Sequence, residues 1–143
     1  MIRALYIDDE CDTERFKTKA EMLESLGIAV TGVADVREVL PTLERLKGEL
    51  DVILLDILMP SQDLYSLEET NGGTTTGMRL LKDIRRRNHA IPVIIVSVKP
   101  EEETRRGLGE LAINDYLTKP TLASEIAFAV KRALHHETPD DDE

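Results

Sequence analysis

Five polar residues could take part in one chemical step, because each follows an apolar run of the sequence. They are Asp8, Asp9, Asp56, Ser97 and Lys119. Three carboxylates brought into one small volume repel one another, which favours either protonation or a bound divalent metal. Hard oxygen ligands suit Mg²⁺ better than zinc or copper. A metal-bound carboxylate beside an amine and a hydroxyl suits phosphoryl transfer, with Asp56 best placed as the nucleophile.

The apolar runs before these residues are predicted strands of one parallel sheet. Val52–Leu55 and Val93–Val96 are each four consecutive branched apolar residues, as in strands that helices cover on both faces. Polar residues after such strands lie at the carboxyl edge of the sheet, where open α/β sheets bind ligands. The five predicted strands are Ala4–Ile7, Ile28–Val33, Val52–Leu55, Ile91–Val96 and Ile113–Leu117.

Segments with a helical spacing of apolar residues alternate with the predicted strands. They span residues 12–26, 36–46, 78–87, 100–111 and 121–135. Gly27 is placed to end the first helix, and Pro41 predicts a kink or a late start in the second. Gly107 and Gly109 each cost about 1 kcal/mol relative to alanine, so the fourth helix should be short or mobile. The pattern predicts an α/β fold, a doubly wound five-stranded parallel sheet of order 2-1-3-4-5.

Length and charge limit the classes of function. A chain of 143 residues suits one domain, and a net charge of -10 argues against nucleic acid or an anionic membrane as a partner. The only cysteine, Cys11, excludes an internal disulfide and favours a reducing cytoplasm. No signal-type or membrane-spanning apolar segment is present in the sequence. The acidic end, residues 137–143, is predicted to be a disordered tail.

Four motifs in the expected order together resemble the receiver domain of two-component response regulators. They are Ile7-Asp8-Asp9-Glu10, the stretch Leu54–Pro60, the strand Val93–Ser97 and the stretch Asp115–Pro120. The resemblance covers roughly residues 2 to 135 and leaves no output domain. It implies a flavodoxin-like receiver fold over residues 1–136.

The resemblance also implies roles for individual residues. Asp56 would accept a phosphoryl group from a histidine kinase or a histidine phosphotransfer protein. Asp9 and Asp56 would bind Mg²⁺ together with the main-chain carbonyl of Leu58, and Asp8 would act through a metal-bound water. The chain would itself take part in phosphoryl transfer and dephosphorylation without being an enzyme.

Two further residues, Ser97 and Tyr116, would move and so report phosphorylation, according to the same resemblance. Ser97 and Lys119 would contact the phosphoryl oxygens, and Tyr116 would rotate and shift a two-state balance across the fourth helix, fifth strand and fifth helix. The Lys119-Pro120 bond would be cis. Simpler roles remain open at this stage: Ser97 could cap the fourth helix, and Tyr116 could be ordinary packing.

The sequence departs from the family pattern beside the predicted site. Between Pro60 and Gly77 the family usually has a short turn, and here about thirteen extra residues intervene. We name residues 61–76 the insert; it is polar, lacks a clear period and is expected to be a long loop, either functional or mobile. Val98 is bulkier than the small residue usual after Ser97 and could narrow access to the phosphoryl group.

The sequence predicts a single-domain response regulator, phosphorylated on Asp56, that signals by phosphorylation-dependent partner binding or by phosphorelay. An alternative is a binding module that uses the receiver fold without phosphorylation, with specificity carried by the insert. An aspartyl phosphatase would need a second acid two residues after Asp56, where Leu58 stands. The basic run Arg85–Arg87 is expected to be a solvated helix end that complements the helix dipole.

Overall fold

A computed structural model of the protein describes residues 1–62, 64–66, 68–70, 75–88, 90–109 and 111–135. It has one five-stranded parallel sheet of order β2-β1-β3-β4-β5. The strands are β1 (Ile2–Ile7), β2 (Ile28–Val33), β3 (Val52–Leu55), β4 (Val93–Ser97) and β5 (Asp115–Thr118). The helices are α1 (Glu14–Ser25), α2 (Val39–Arg45), α3 (Thr76–Arg87), α4 (Glu101–Leu108) and α5 (Ala123–Leu134). The predicted doubly wound sheet is therefore confirmed.

Both faces of the central strands are covered, which explains why β3 is apolar at every position. Val52, Ile53, Leu54 and Leu55 have no exposed surface. Alternate residues of the strand belong to two separate clusters, because successive side chains point to opposite faces. One cluster joins Ile53 and Leu55 to α2 and α3, and the other joins Val52 and Leu54 to α1 and α5.

The last strand begins two residues later than the sequence pattern predicts. Asn114 precedes β5 and bonds twice to Val93: its backbone N–H donates to the Val93 carbonyl at 2.7 Å, and its side-chain oxygen accepts from the Val93 N–H at 3.0 Å. The Asn114 side chain thus takes the place of a backbone carbonyl in the hydrogen bonding between the two strands. The apolar Ile113 lies outside the strand. The strand β4 ends at Ser97, one residue later than predicted, so the Ser97 hydroxyl belongs to the strand itself.

Two predicted helix features have clear physical counterparts. Gly27 follows α1 with a φ of +96°, the left-handed region that glycine adopts at low cost. Pro41 lies in the first turn of α2, which begins at Val39 after a 3₁₀ turn over Val36–Glu38, so the late-start alternative is confirmed. Proline is tolerated there because the first helical N–H groups need no intrahelical partner.

Gly107 lies inside α4, where the sequence alone makes it a weakness of the helix. A Cβ on this residue would meet the Cε methyl of Met78 on α3. The missing side chain therefore gives α4 and α3 room to approach each other. The helix is short, as expected, and ends at Leu108 before Gly109, whose φ is +59°.

The expectation for the basic run Arg85–Arg87 is wrong for Arg85. Its guanidinium is half-buried and donates to the carbonyls of Ile91 at 2.7 Å and Ala112 at 2.8 Å. The other two arginines are exposed.

Two expectations concern the ends and the surroundings of the domain. The predicted acidic tail at residues 137–143 lies outside the described residues. Within the described part of the chain, no helix is long and apolar enough to cross a membrane.

Candidate metal and phosphoryl site

The register of the sheet brings the polar residues to one edge. Each backbone N–H beyond a strand end continues the ladder: Asp8 donates to Val33 at 3.1 Å, and Asp56 donates to Ile7 at 2.9 Å. Lys119 donates in the same way to Ser97 at 2.8 Å. Because the pairing persists past the strand ends, Asp8 and Asp56 start from adjacent positions at the carboxyl edge, and Lys119 starts from the same edge on the far side of β4.

Lys119 joins the acids of β1 and β3. Its Nζ lies 2.7 Å from Asp8 Oδ2 and 3.0 Å from Asp56 Oδ2. Both carboxylates are buried, with 3% and 4% of their residue surface exposed. Burial lowers the pKa of Lys119, but the hydrogen bonds and negative charges of the two acids outweigh it and raise that pKa to about 12. The lysine therefore stays charged at neutral pH.

One lysine does not neutralise the acids around it. Burial and the charge of Asp8 raise the pKa of Asp56 above its ordinary value, although Lys119 acts in the opposite direction. Asp9 is an exposed residue, yet partial burial of its carboxylate and the charges of Asp8 and Asp56 raise its pKa as well. The pocket carries an excess of negative charge, which a further cation would relieve.

The three acids fit a magnesium ion. Each of the three acids, Asp8, Asp9 and Asp56, offers one carboxylate oxygen, and these three oxygens lie within 4.8 Å of one another. Such a set of hard oxygens, partly open to solvent at Asp9, matches the ligands and free positions that Mg²⁺ prefers. Leu58 lies beside this group, because its backbone N–H donates to Asp56 Oδ1 at 3.0 Å. Its carbonyl as a metal ligand stays a prediction.

Ser97 lies at the end of β4, fully buried, with its hydroxyl accepting from the Lys99 N–H at 3.3 Å. It does not cap α4, because the residue at the N-cap is Pro100. The simpler role that the sequence left open for Ser97 is thus excluded. Contact between its hydroxyl and a phosphoryl group stays a prediction.

Tyr116 on β5 is buried and points inward. Its hydroxyl donates to the Lys99 carbonyl at 2.8 Å and lies 2.8 Å from Thr104 Oγ1. Since the tyrosine has one proton to donate, the Thr104 hydroxyl donates to it. These bonds link β5 to the segment after β4 and to α4. Rotation of Tyr116 on phosphorylation stays a prediction.

A cavity of about 480 Å³ adjoins the acids between α1 and the segment after β5. Its lining includes Phe16, Lys19, Lys119 and Pro120, and the predicted cis bond before Pro120 is present. Val98, 55% exposed, also lines the cavity. The bulky residue after Ser97 thus stands at the entrance rather than inside the core.

The insert contains residues that the sequence prediction missed. Tyr65 is 6% exposed and belongs to the apolar cluster of α2 and α3, and its hydroxyl donates to Asp83 at 2.6 Å. Ser66 and Glu69 make the reciprocal bonds of a capping box, both at 2.9 Å. The Ser-x-x-Glu spacing is visible in the sequence and signals an ordered turn. Pairing of Tyr65 with Asp83, eighteen positions away, has no comparable local signal.

The family of response regulator receiver domains matches residues 4–131. The chain belongs to this family. Phosphorylation on aspartate and magnesium binding are typical of receiver domains, and the acids at the sheet edge match that pattern.

Two curated relatives extend beyond the receiver. The chain is 31% identical over 134 residues to the alkaline phosphatase synthesis transcriptional regulatory protein PhoP of Bacillus subtilis, covering 92% of this chain and 48% of that protein. It is 30% identical over 130 residues to the sensor kinase CckA of Brucella abortus, covering 91% of this chain and 12% of that protein. The chain therefore spans half or less of the length of these relatives.

Solved structures agree with the fold. A receiver domain protein from Clostridium thermocellum superposes with a TM-score of 0.75 at 22% identity, covering 97% of this chain and 98% of that one. The receiver domain of the Francisella response regulator 1452 gives a TM-score of 0.71 at 29% identity, covering 95% and 98%. The receiver fold is thus shared over nearly the whole chain.

Proposed function

We propose that this receiver is a phosphorylation-dependent switch in which Asp56 accepts the phosphoryl group. The observation that carries the proposal is the ammonium of Lys119 lying between the carboxylates of Asp8 and Asp56, 2.7 and 3.0 Å away. A structural ion pair needs one acid, whereas here a third acid, Asp9, adds uncompensated negative charge. Such perturbed groups at an open sheet edge are typical of functional sites.

The phosphodonor in this proposal is a phosphohistidine of a sensor kinase or a phosphotransfer protein. An oxygen of the Asp56 carboxylate attacks phosphorus in line as the phosphorus–nitrogen bond breaks, and the imidazole leaves with the electron pair. Lys119 neutralises charge on the equatorial oxygens, and the Ser97 hydroxyl donates to one of them. Asp9, Asp56 and the Leu58 carbonyl would hold Mg²⁺, with Asp8 acting through water, and the ion would supply positive charge to the phosphoryl oxygens.

The output of the proposed switch is a change in the surface that α4, β5 and α5 present to a protein partner. Ser97 and Tyr116 would move towards the acyl phosphate, which would break the Tyr116 bonds to Lys99 and Thr104 and release α4. We propose that the receiver acts through docking to a protein partner or through phosphorelay. The single cysteine, without a disulfide partner in the chain, supports the cytoplasm as its compartment.

The test is incubation with a small acyl phosphate and Mg²⁺, followed by intact mass measurement of the wild type and of Asp56→Asn. We expect one phosphoryl adduct on the wild type, none without Mg²⁺ and none on the variant. An adduct that persists on Asp56→Asn would contradict the assignment of the acceptor. Hydrogen exchange over residues 101–118 should rise when beryllofluoride is added, and unchanged exchange there would contradict the proposed output.

A further inference from the structure

The insert is anchored to the outer face of α3 through one buried side chain. The Tyr65 hydroxyl donates to Asp83 Oδ2 at 2.6 Å, and the guanidinium of Arg79 lies 4.9 Å from the centre of the tyrosine ring. Arg79 also donates to the other oxygen of Asp83 at 2.9 Å. Tyr65, Arg79 and Asp83 thus form one largely buried cluster, the Tyr65 cluster. It is held by a hydrogen bond, a cation–π contact and an ion pair.

The rest of the described insert returns the chain to α3 in an ordered way. Ser66 and Glu69 bond to each other reciprocally, and the Glu69 carboxylate lies 3.7 Å from Arg79 Nε. The Thr70 carbonyl then accepts from the Thr75 N–H at 2.9 Å, one residue before α3 begins. The described parts of the insert are therefore an ordered part of the fold, held by their own hydrogen bonds.

The same helix rests on the backbone of the proposed phosphoacceptor. The Gly77 N–H donates to the Ile57 carbonyl at 2.9 Å, and a Cβ on Gly77 would collide with the carbonyl oxygen of Asp56. Ile57 and Met59 are buried in the same apolar cluster as Tyr65, and Leu58 lies between them. The insert is therefore fixed on the same helix whose Gly77 contacts the backbone of Asp56 and Ile57, next to Leu58.

We propose that Tyr65 is a positioning residue for the metal site, through which the insert sets the orientation of the Leu58 main chain. The insert separates the segment that carries Leu58 from α3, and closing a longer loop costs little extra entropy. The Tyr65 cluster adds a fixed point between the two ends of the insert, because it holds the chain against α3 five residues after Pro60. This inference rests on the proposed function, because it assigns to Tyr65 an effect on Mg²⁺ affinity and on phosphoryl lifetime.

The test compares Mg²⁺ binding by calorimetry in the full chain carrying Tyr65→Ala, Tyr65→Leu or Tyr65→Phe, at a temperature where each variant is folded. Loss of the tyrosine should raise the dissociation constant about tenfold, as for other residues that orient metal ligands indirectly. Tyr65→Phe keeps the ring and loses the bond to Asp83, so a smaller rise is expected. Leu64→Ala, in the exposed part of the insert, is the matched control and should bind like the wild type.

A purely structural role predicts a different result. It would lower the melting temperature measured without Mg²⁺ while Mg²⁺ affinity and acyl phosphate half-life stayed within about twofold of the wild type, and that result would overturn the proposal. If Tyr65→Ala does not fold, the leucine and phenylalanine variants decide. A wild type that binds Mg²⁺ but takes no phosphoryl group would overturn the proposed function alone, since the affinity comparison would still stand. A wild type without Mg²⁺ binding would overturn both.

Discussion

Asp56 and Asp83 are both largely buried carboxylates with cationic partners, yet their surroundings shift their pKa values in opposite directions. Burial raises the pKa of Asp83, but hydrogen bonds from Tyr65 and Arg79 outweigh it and hold that pKa below its ordinary value. Burial also raises the pKa of Asp56, and there Lys119 does not compensate for the neighbouring Asp8. The charged form is favoured at Asp83 and disfavoured at Asp56.

The difference separates a carboxylate that holds the fold together from one that is available for chemistry. At Asp83 every strong neighbour donates to the carboxylate, so its charge stabilises the folded state. At Asp56 the charge lacks a sufficient counterion, and this deficit is what a divalent metal would remove. In this protein the two acids thus differ both in the sign of their pKa shift and in position, since only Asp56 lies at the carboxyl edge of the sheet.

The largest effect is expected from removing the cation of the acidic pocket. Lys119→Ala should lower the free energy of unfolding by about 3 kcal/mol in the absence of Mg²⁺, because it leaves Asp8 and Asp56 buried without a counterion. It should also abolish phosphoryl transfer, measured by intact mass. Lys131→Ala, at an exposed position of α5, is the matched control and should change neither quantity. Equal stability of the two variants in urea would show that the bridge contributes nothing.

The second largest effect is expected at Gly77, where α3 meets the backbone of Asp56 and Ile57. Gly77→Ala should cost about 2 kcal/mol or more, because the new methyl group would meet the backbone of Asp56 and Ile57 rather than a side chain that can move. Gly107→Ala meets only the methyl end of Met78, which can rotate away, and it gains about 1 kcal/mol in helix propensity. Urea unfolding of both variants should therefore show a loss for residue 77 only. An unchanged stability of Gly77→Ala would mean that α3 does not rest on the phosphoacceptor backbone.

The smallest effects test the opposite signs of the two acids. Asp83→Asn should lower the free energy of unfolding by about 1 kcal/mol at pH 7. Because its folded pKa is depressed, this contribution is complete above the ordinary value of 3.8 and is lost as pH falls through the folded pKa. Asp56→Asn should raise stability at pH 7 instead. Its folded pKa is raised, so that gain should shrink as pH falls below the folded pKa and vanish below 3.8. Melting temperatures from pH 3 to pH 7 check both signs, and a parallel response of the two variants would contradict the comparison.

The sequence was informative where one physical rule decided the structure. Four branched residues at Val52–Leu55 require cover on both faces, and an acid directly after them can only lie at the strand end. Asp8 and Lys119 also follow predicted strands, so the meeting of the acids with the lysine could be predicted once the strands were placed in the doubly wound order. The residue roles in phosphorylation stay predictions, because a sequence pattern and an arrangement of side chains do not report transfer.

The rest depends on contacts between residues distant in sequence. The start of β5 is moved by the bonds of Asn114 to Val93, and Gly107 is explained only by Met78 on another helix. Burial of Tyr65 depends on partners in α3 that polar, aperiodic sequence around it does not indicate. Ser66 and Glu69 are the exception, because the Ser-x-x-Glu spacing of a capping box is visible in the sequence.

Arg85 lies at the amino edge of the sheet, opposite the carboxyl edge that carries the acids. Its guanidinium fastens the segments that enter β4 and β5, by donating to the carbonyls of Ile91 and Ala112. Those two strands are therefore tied together at their beginnings, while their ends carry Ser97 and the segment after Tyr116. The Arg85 bonds therefore hold the two strands together on the side of the sheet away from the proposed phosphoryl site.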